Sequence, residues 1–440
     1  MRKVELLAPA GTLKNMRYAF AYGADAVYAG QPRYSLRVRN NDFLDDNLAI
    51  GIAEAHQLGK KFFLTSNVMP HNSKIKTYID DMRPVIEMGP DALIMADPGL
   101  IMMVRETWPD MPVHLSVQAN TVNFAAVKFW QSVGVERIIL SRELSLDEIE
   151  EIRQQCPDME LEVFVHGALC IAYSGRCLLS GYFNHRDPNQ GTCTNACRWE
   201  YKTTPAEQNA EGVYKPASNT GQERHPASEQ VVFLEEKNRP GELMPMEEDE
   251  HGTYIMNSKD LRAVEHVHRL VQIGVDSLKI EGRTKSHYYV SRTTQSYCQA
   301  IDDALAGREF NPELLGVLEN LANRGYTDGF YQRHHTKDYQ NYMVGNSVSH
   351  QQQFVGEVVD YDAASGMAEI AVKNKIRLGD KLELIKPDGN EDIIIQQMTD
   401  LQGNPMDEAP GGGYQIRIPL PESMAHNGLI ARYIDTPIYT

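Results

Sequence analysis

Short apolar runs alternate with helix-length amphipathic stretches through the first two thirds of the chain. Seven of these runs are strand-like, and they cover residues 4–10, 26–30, 62–68, 92–97, 113–120, 137–143 and 161–167. Amphipathic stretches at 13–22, 77–88 and 146–154 have helical periodicity, and Ser145 with Glu148 opens the last of them as a capping box. This alternation predicts a parallel sheet covered by helices.

Residues 277–281 form an eighth strand-like run, reached through a predicted helix over 262–273 and followed by another over 288–305. Eight such units predict a closed (β/α)8 TIM-like barrel with a cysteine-rich loop after strand 7. From residue 353 the pattern changes to short alternating strands separated by turns, at 354–359, 368–372, 381–385, 393–398 and 414–418. This second pattern predicts a small C-terminal all-β barrel domain.

The length of 440 residues suits a barrel of ordinary size plus a smaller companion. We assign residues 1–310 to the barrel, 311–350 to a connector and 351–440 to the C-terminal β-barrel domain. Within the barrel domain, residues 168–200 form the cysteine-rich loop. Residues 200–252 form an insertion rich in Pro, Glu, Asn, Gln and Ser, which predicts an excursion over the surface.

Polar residues accumulate where the predicted strands end. They are Asn67, His71, Asp97, Gln118, Asn120, Arg142, Glu143, His166, Lys279, Glu281 and Arg283. The carboxyl ends of parallel barrel strands face the active site, so these residues are candidates for a pocket. The catalytic candidates among them are Gln118, Asn120, Glu143, His166, Lys279, Glu281 and Arg283. The alternative is that any one of them caps a helix or ties a loop.

The chain carries 60 acidic and 43 basic residues, for a formal charge of -17, which argues against broad attraction to polyphosphate. A local basic and aromatic face can still bind nucleic acid. The stretch 324–342 is aromatic and basic, and it either stacks on single-stranded nucleic acid or packs its rings as a connector. Because the chain has neither a bilayer-length apolar run nor a signal peptide pattern, we expect a cytoplasmic protein without membrane partners.

Four of the six cysteines have the spacing Cys170-x6-Cys177-x15-Cys193-x3-Cys197. In a reducing compartment such a cluster favours a soft metal over disulfides. Paired CxxC knuckles are absent and the spacing is not that of ferredoxins, so an iron-sulfur site stands slightly ahead of zinc, and ordinary buried cysteines come third. The remaining two, Cys156 and Cys298, are predicted to pack between helices.

The run from Glu162 to Ser180 has the pattern E-x-F-x-x-G-A-L-C-x4-G-x-C-x-L-S and resembles the signature of the collagenase-like peptidase family U-32. Further stretches resemble the same family, at 6–11, 25–30, 116–120 and 278–283. The segments 166–170 and 191–199 most resemble the branch of this family that acts in tRNA hydroxylation. The resemblance extends over residues 1–300 and into the C-terminal β-domain.

This resemblance implies a role in converting the wobble uridine of certain tRNAs to 5-hydroxyuridine, a process to which prephenate is linked as a co-substrate. Related branches hydroxylate ribosomal RNA or ubiquinone precursors and hold a four-iron four-sulfur (4Fe-4S) cluster on cysteines, which here implies Cys170, Cys177, Cys193 and Cys197. The relatives that act on ubiquinone precursors work as paired proteins and do not all draw their fourth ligand from the same place, so the fourth ligand, assigned to Cys197, stays open. The implied partners are tRNA, through its anticodon loop, and an electron donor or partner protein.

We hypothesise that the cluster lies at the barrel mouth, where the catalytic candidates hold an extruded base or an anionic co-substrate. Two other functions remain. The family name suggests a peptidase, although the chain has neither an HExxH helix nor a GxSxG turn. A non-catalytic tRNA-binding or assembly factor would keep both domains and leave the strand ends without chemistry.

Overall fold

The structure is a computed structural model. It describes in full residues 3–30, 33–36, 42–169, 259–323, 325–332 and 352–434, and for several short strands at 206–254, 348–349 and 438–439 it describes the backbone alone.

Eight parallel strands close into a barrel, as predicted. They are β1 Glu5–Pro9, β2 Ala26–Gly30, β3 Lys61–Ser66, β4 Ala92–Met95, β5 Val113–Leu115, β6 Arg137–Ile139, β7 Glu160–Ala168 and β14 Ser277–Ile280. Each strand pairs with the next along the chain, and β14 pairs with both β1 and β7, which completes the ring. The predicted eighth strand is therefore the one that closes the barrel.

Helices on the outside connect these strands. They are α1 Leu13–Ala21, α2 Asp45–Gln57, α3 Asn72–Glu87, α4 Pro98–Thr107, α5 Phe124–Ser132, α6 Leu146–Gln155, α7 Val267–Ile273, α8 His287–Leu305 and α9 Glu313–Glu319. The capping box predicted at Ser145 is formed: its hydroxyl accepts from the backbone of Glu148, whose carboxylate accepts from the Ser145 amide. Apolar residues of the strands and helices form one continuous core.

The prediction of one helix over 262–273 is only partly right. Residues Asp260–Arg262 form a strand, β13, that pairs antiparallel with the end of β7 and parallel with the short strand β15 Tyr326–Thr327. Helix α7 begins only at Val267, after a single 3-10 turn. The apolar periodicity of this segment comes from a buried strand running into a short helix, and both patterns contribute buried residues.

The predicted polar insertion contains short antiparallel strands. They are β8 Ala206–Gln208, β9 Tyr214–Pro216, β10 Val232–Glu235, β11 Leu243–Asp249 and β12 Gly252–Tyr254. Strands β8 and β9 form one small sheet, and β10 to β12 form another.

The C-terminal part is an antiparallel half-barrel, in agreement with the all-β prediction. Its strands are β16 Val348–Ser349, β17 Gln352–Asp362, β18 Met367–Val372, β19 Asn374–Arg377, β20 Lys381–Ile385, β21 Glu391–Ile394, β22 Glu408–Gly411, β23 Gln415–Pro419, β24 Leu429–Tyr433 and β25 Ile438–Tyr439. Six of them form the sheet β21-β20-β24-β17-β18-β23, which covers a second apolar core. The limits of the predicted domains and connector stay predictions.

Buried polar bonds join the half-barrel to the TIM-like barrel. The hydroxyl of Tyr22, the residue that follows α1, donates to the carbonyl oxygens of both Ile385 and Asn427 at 2.9 Å. On α8, Arg292 is 1% exposed and makes two bonds of 3.0 Å to the carboxylate of Glu383. Two parallel bonds of this kind fix the orientation of the guanidinium and the carboxylate as well as the distance between them.

Glu357 of β17 forms a second ionic link between the two parts. Its carboxylate accepts from Lys14 of α1, lies 2.9 Å from His287 Nε2 of α8, and lies 2.9 Å from Lys373 Nζ. Burial alone would raise the pKa of Glu357, but the bonds from His287, Lys14 and Lys373 outweigh it and hold the pKa well below its usual range.

Replacing Glu357 with glutamine should therefore lower the unfolding free energy by about 1.5–3 kcal/mol at pH 7, the range for hydrogen bonds to charged groups. Because the folded-state pKa lies below the ordinary 4.5, this contribution is complete above about pH 4.5 and is lost as the pH falls through the folded value. Urea unfolding at pH 7 and pH 3 measures the difference. Glu369→Gln, next to the exposed Arg417 at 3.6 Å, is the control. An equal loss at both pH values would contradict the ionic link.

Among the helices of the described residues, none has the length and hydropathy needed to cross a bilayer.

Candidate functional site

Arg283, just beyond β14, is anchored at the carboxyl end of the barrel. Its Nη1 donates to Ser35 Oγ at 2.8 Å and to Thr65 Oγ1 at 2.9 Å, and Thr65 Oγ1 donates to the Ala29 carbonyl at 2.9 Å. A Cβ on Gly30 would meet Arg283 Nη1 at 2.3 Å and Ser35 Oγ at 2.7 Å, so a larger residue there would displace these side chains from their present positions. The guanidinium is thus oriented by two hydroxyls, and this group suits recognition of a carboxylate or phosphate.

A neutral amide cluster lies beside it, where β3 and β5 end. Asn67 Nδ2 donates to Gln118 Oε1 at 3.1 Å and to Ser116 Oγ at 3.3 Å, and Ser116 Oγ also donates to Gln118. Asn67 Oδ1 accepts from the backbone of Leu36 at 3.2 Å, in the loop that also carries Ser35. The cluster therefore connects the β3 and β5 ends to the loop that positions Arg283.

Arg142, after β6, spans the ends of β7 and β14. Its guanidinium carbon lies 3.9 Å above the ring of Phe164, its Nη1 donates to the Ala168 carbonyl at 2.6 Å, and its Nη2 lies 3.4 Å from Glu281 Oε2. A guanidinium stacked on a ring and bonded on two sides is held rigidly. Arg142 and Glu281 thus form a charged pair at the mouth.

Glu143 and Asn120 occupy the same end of the barrel. The Ser141 hydroxyl donates to Glu143, and Asn120 has left-handed backbone angles of φ 51 and ψ 51 at the end of the turn 117–119. Asparagine is one of the few residues that adopts this conformation readily. Five of the seven catalytic candidates, Gln118, Asn120, Glu143, Glu281 and Arg283, therefore lie at the strand ends as predicted, and their catalytic roles stay predictions.

Lys279 lies deeper, inside the barrel. Its Nζ bonds Glu162 Oε1 at 2.8 Å and lies 4.3 Å from the centre of the Tyr28 ring. Glu162 is 0% exposed, and its other oxygen is 3.2 Å from Arg137 Nη1. Burial lowers the pKa of Lys279, and the attraction of Glu162 opposes that shift. The ammonium is thus engaged in the barrel interior, below the ring of Tyr28.

His166 lies against the outer layer of the barrel, among tyrosines. Its Nδ1 is 3.3 Å from the Tyr297 hydroxyl, its Nε2 is 3.5 Å from that of Tyr326, and its ring is 5.8 Å from that of Tyr289. Burial lowers the pKa of His166 to about 3, with smaller contributions from Arg262 and Lys285. His166 is therefore neutral at pH 7, and the structure does not bring it together with the residues at the mouth.

A change of register between β7 and β14 explains the position of His166. Lys279 pairs with Phe164, but the next residue, Ile280, pairs with His166, so Val165 is an extra residue on β7. Such a bulge reverses the alternation of faces, and His166 shares the face of Ile280 instead of that of Phe164. Gly167 follows at φ +105, where a Cβ would meet the Glu281 carbonyl at 2.6 Å.

All four predicted cluster ligands, Cys170, Cys177, Cys193 and Cys197, lie outside the described residues. What the structure describes is the two ends of the segment that carries them. Strand β7 ends at Ala168, two residues before Cys170, and Ala168 pairs with Asp260, where the chain returns. The segment therefore leaves and re-enters the barrel at one place, next to Arg142.

The two remaining cysteines pack as predicted. Cys156 is buried at the end of α6, where its Sγ is 3.6 Å from the Phe124 carbonyl, and Cys298 on α8 packs against the same core. Burial raises the pKa of both thiols, that of Cys298 to about 11 with help from Asp302 and Asp25. Neither is activated as a nucleophile.

Within the fully described part of the chain, one set of candidate metal ligands lies close together, Glu265, His266 and Asp328, with ligand atoms within 4.8 Å of one another. His266 Nε2 lies 3.3 Å from Asp328 Oδ2 and 3.5 Å from Glu265 Oε1. These are ordinary ion-pair distances, so the group is explained without a metal.

The aromatic segment at 324–342 is only partly described. Tyr331 is buried with its hydroxyl donating to the Phe164 carbonyl at 2.5 Å, and Tyr326 packs on His166 and under Arg262. These two rings support the packing interpretation. Residues 333–342, which include most of its cations, lie outside the described residues.

Several residues of the mouth, among them Thr65, Tyr28 and Ser35, were not among the candidates from the sequence. Thr65 is a polar residue at an inward position of a predicted strand, which was a usable signal, and Tyr28 lies on β2 with its hydroxyl donating to the Ile280 carbonyl at 3.0 Å. Ser35 follows β2 in a loop, and its sequence context carries no signal of its contact with Arg283.

Comparison with known proteins gives two family matches. Residues 11–341 match peptidase family U32, and residues 350–432 match the C-terminal domain of peptidase family U32. Together these ranges include both the barrel and the half-barrel.

Individual relatives are similar over nearly the whole chain. The tRNA hydroxylation protein P of Escherichia coli is 62% identical over 435 residues, which cover 97% of this chain and 96% of that protein. The protein of the same name from Haemophilus influenzae is 58% identical over 436 residues, covering 97% and 95%. A collagenase of Porphyromonas gingivalis is 27% identical over 451 residues, covering 98% and 97%.

Proposed function

The chain belongs to peptidase family U32, and we propose that within this family it acts in tRNA hydroxylation, as the enzyme that converts the wobble uridine of tRNA to 5-hydroxyuridine. Relatives with 62% and 58% identity along 96% and 95% of their length carry tRNA hydroxylation in their names. The observation that carries the proposal is the barrel mouth, which holds the anchored Arg283 and the stacked Arg142, with the cysteine segment leaving and re-entering the barrel next to Arg142.

The mouth suits an extruded base and an anionic co-substrate. A base in a stacked loop must leave the stack before its ring carbon can be reached, and planar side chains and amides can then hold it. The amides of Asn67 and Gln118 lie at the mouth, and the ring of Phe164 lies beneath Arg142. Arg283 would bind the carboxylate of a co-substrate such as prephenate, because its guanidinium is already oriented by Ser35 and Thr65.

We further propose that Cys170, Cys177, Cys193 and Cys197 hold a 4Fe-4S cluster beside this mouth. The donor set, four thiols, is the usual one for 4Fe-4S clusters, and Cys170 follows two residues after the described Ala168. When bound, such a cluster supplies one-electron transfer next to the substrate. An electron donor or a partner protein would then complete the system.

A peptidase is the second candidate, and the collagenase relative favours it. The described residues of the barrel mouth support a peptidase less well than a hydroxylase. Its hydroxyls are engaged by Arg283, by the amides of Asn67 and Gln118, or by Glu143, and the nearby His166 is buried among tyrosines. A hydroxyl nucleophile needs an adjacent base, and the described residues of the mouth do not place a histidine there. A tRNA-binding factor without catalysis is the third candidate.

Mass spectrometry of tRNA tests the proposal. In a strain without this protein and without any redundant pathway, we expect 5-hydroxyuridine to disappear and the wild-type gene to restore it. Arg283→Met should lower the hydroxylated fraction about 100-fold, the size of effect seen when one oriented donor is removed from an active site. Arg269→Met, which removes an exposed partner of Glu150, is the matched control.

Three results would change the assignment. Unchanged hydroxylation without the protein would remove the hydroxylase. Full hydroxylation activity of Arg283→Met would show that Arg283 and the barrel mouth are not needed for the reaction. Peptide cleavage by the purified protein would support the peptidase instead.

A further inference from the structure

A cavity of about 240 Å³ lies between the TIM-like barrel and the half-barrel. Its barrel side is formed by the start of α8, with Lys285 and Tyr289, and by Asn320 after α9. Its other side is formed by Gln353 and Phe354 of β17. The lining combines apolar rings with amide groups and one ammonium group, which is the composition of a ligand site more than of a packing defect.

The walls of this cavity, which we call the interdomain cleft, are held in place. The ring of Phe354 stacks on Tyr288 with centroids 4.7 Å apart and 19° between planes. Asn374 Nδ2 donates to the Phe354 carbonyl at 2.7 Å, and Arg432 Nη2 donates to Gln353 Oε1 at 2.9 Å. The rings and the amide of the cleft are therefore positioned before any ligand arrives.

The cleft adjoins the barrel mouth. Lys285 follows Arg283 by two residues, and the two side chains separate, one to the cleft and the other to Ser35 and Thr65. Tyr289 forms the partition, since its hydroxyl donates to the Glu281 carbonyl at 2.8 Å and its ring packs on Gly282. Tyr289 thus separates the cleft from Glu281 at the barrel mouth.

We propose that the interdomain cleft takes a single unstacked nucleotide of the tRNA substrate, next to the base that enters the barrel mouth. The proposal rests on the proposed function and adds how the RNA is held. Single-stranded RNA is bound by stacking bases on aromatic rings, by hydrogen bonds to base edges and by cations near phosphates, and the cleft offers Phe354, Gln353 and Lys285 for these contacts. Because the chain as a whole has a charge of -17, attraction for the RNA phosphates has to come from a local site such as this one.

Fluorescence anisotropy with labelled tRNA and the full-length protein tests this. Lys285→Glu should weaken binding about tenfold or more and should lower the salt dependence by about one phosphate contact. Phe354→Leu keeps an apolar side chain but removes the planar face, and it should weaken binding about fivefold or more. The control is Lys128→Glu, which changes an exposed lysine 5.2 Å from the Phe124 ring on α5, across the barrel. Thermal unfolding checks that each variant folds.

The outcomes separate the two proposals. If the wild-type protein does not bind tRNA, the proposed function loses its substrate. If the wild-type protein binds and folded Lys285→Glu and Phe354→Leu bind as Lys128→Glu does, the cleft proposal is overturned while the function stands. Loss of hydroxylation in Lys285→Glu with unchanged tRNA affinity would assign the cleft to a small anionic molecule and would also overturn the proposal.

Discussion

Replacing Glu162 with glutamine is expected to lower the unfolding free energy by about 3–5 kcal/mol, because it leaves buried positive charge without its partner. Glu162 is 0% exposed and its two oxygens face Lys279 Nζ at 2.8 Å and Arg137 Nη1 at 3.2 Å. Arg137 keeps a second carboxylate, Glu5 at 2.6 Å, but the described contacts of Lys279 include no other ion pair. The loss therefore falls mainly on Lys279. Urea unfolding of the two proteins measures it.

Glu160 offers a matched control. It also pairs with Arg137, at 2.8 Å, but its side chain is 36% exposed, so Glu160→Gln should cost less than about 1 kcal/mol. Adding Lys279→Met to Glu162→Gln should recover much of the lost stability, because the uncompensated charge is then removed. Equal losses for the two glutamate variants would contradict the buried pair as the source of stability.

Replacing Cys177 with alanine is expected to abolish tRNA hydroxylation, to the level of a strain without the protein. If the four thiols of the segment hold an iron-sulfur cluster, the loss of one ligand removes iron and visible colour from the anaerobically purified protein. The iron content of the purified variant and the 5-hydroxyuridine content of tRNA from the complemented strain test these two expectations. Cys298→Ala is the control, since its thiol is packed against the core with a raised pKa and should leave iron and activity unchanged.

Other results would change the proposed iron-sulfur cluster or its set of ligands. A colourless wild-type protein that contains zinc would replace it with a zinc site. Retained iron in Cys177→Ala would remove Cys177 from the ligand set. The same comparison for Cys170, Cys193 and Cys197 would identify the fourth ligand, which the sequence leaves open.

The barrel was predictable because its pattern is local. Each parallel strand is buried by helices on one side and by the barrel interior on the other, so it reads as a short apolar run whatever its partners are. Strand β2 has the predicted limits of 26–30, and β14 begins at the predicted residue 277. The short strand β13 was missed, since it contains only three residues and runs directly into a helical turn.

The candidate site was predictable in part. Strand ends mark the barrel mouth, and they led correctly to the positions of Gln118, Asn120, Glu143, Glu281 and Arg283. Strict alternation also suggests that His166 faces inward with Glu162 and Phe164, but the bulge at Val165 turns it outward. A bulge depends on how two distant strands pair, and the sequence of either strand alone does not reveal it.

The sequence by itself determined the order of strands and helices, the change to an all-β pattern near residue 353 and the spacing of four thiols, because these features depend on neighbours along the chain. Only the tertiary structure decided that Lys279 is engaged by Glu162, that Arg283 is held by Ser35 and Thr65, and that Lys285 and Phe354 line the same cleft. The physical reason is that each of these contacts joins separate elements, so its geometry exists only once the barrel closes and the half-barrel packs against it.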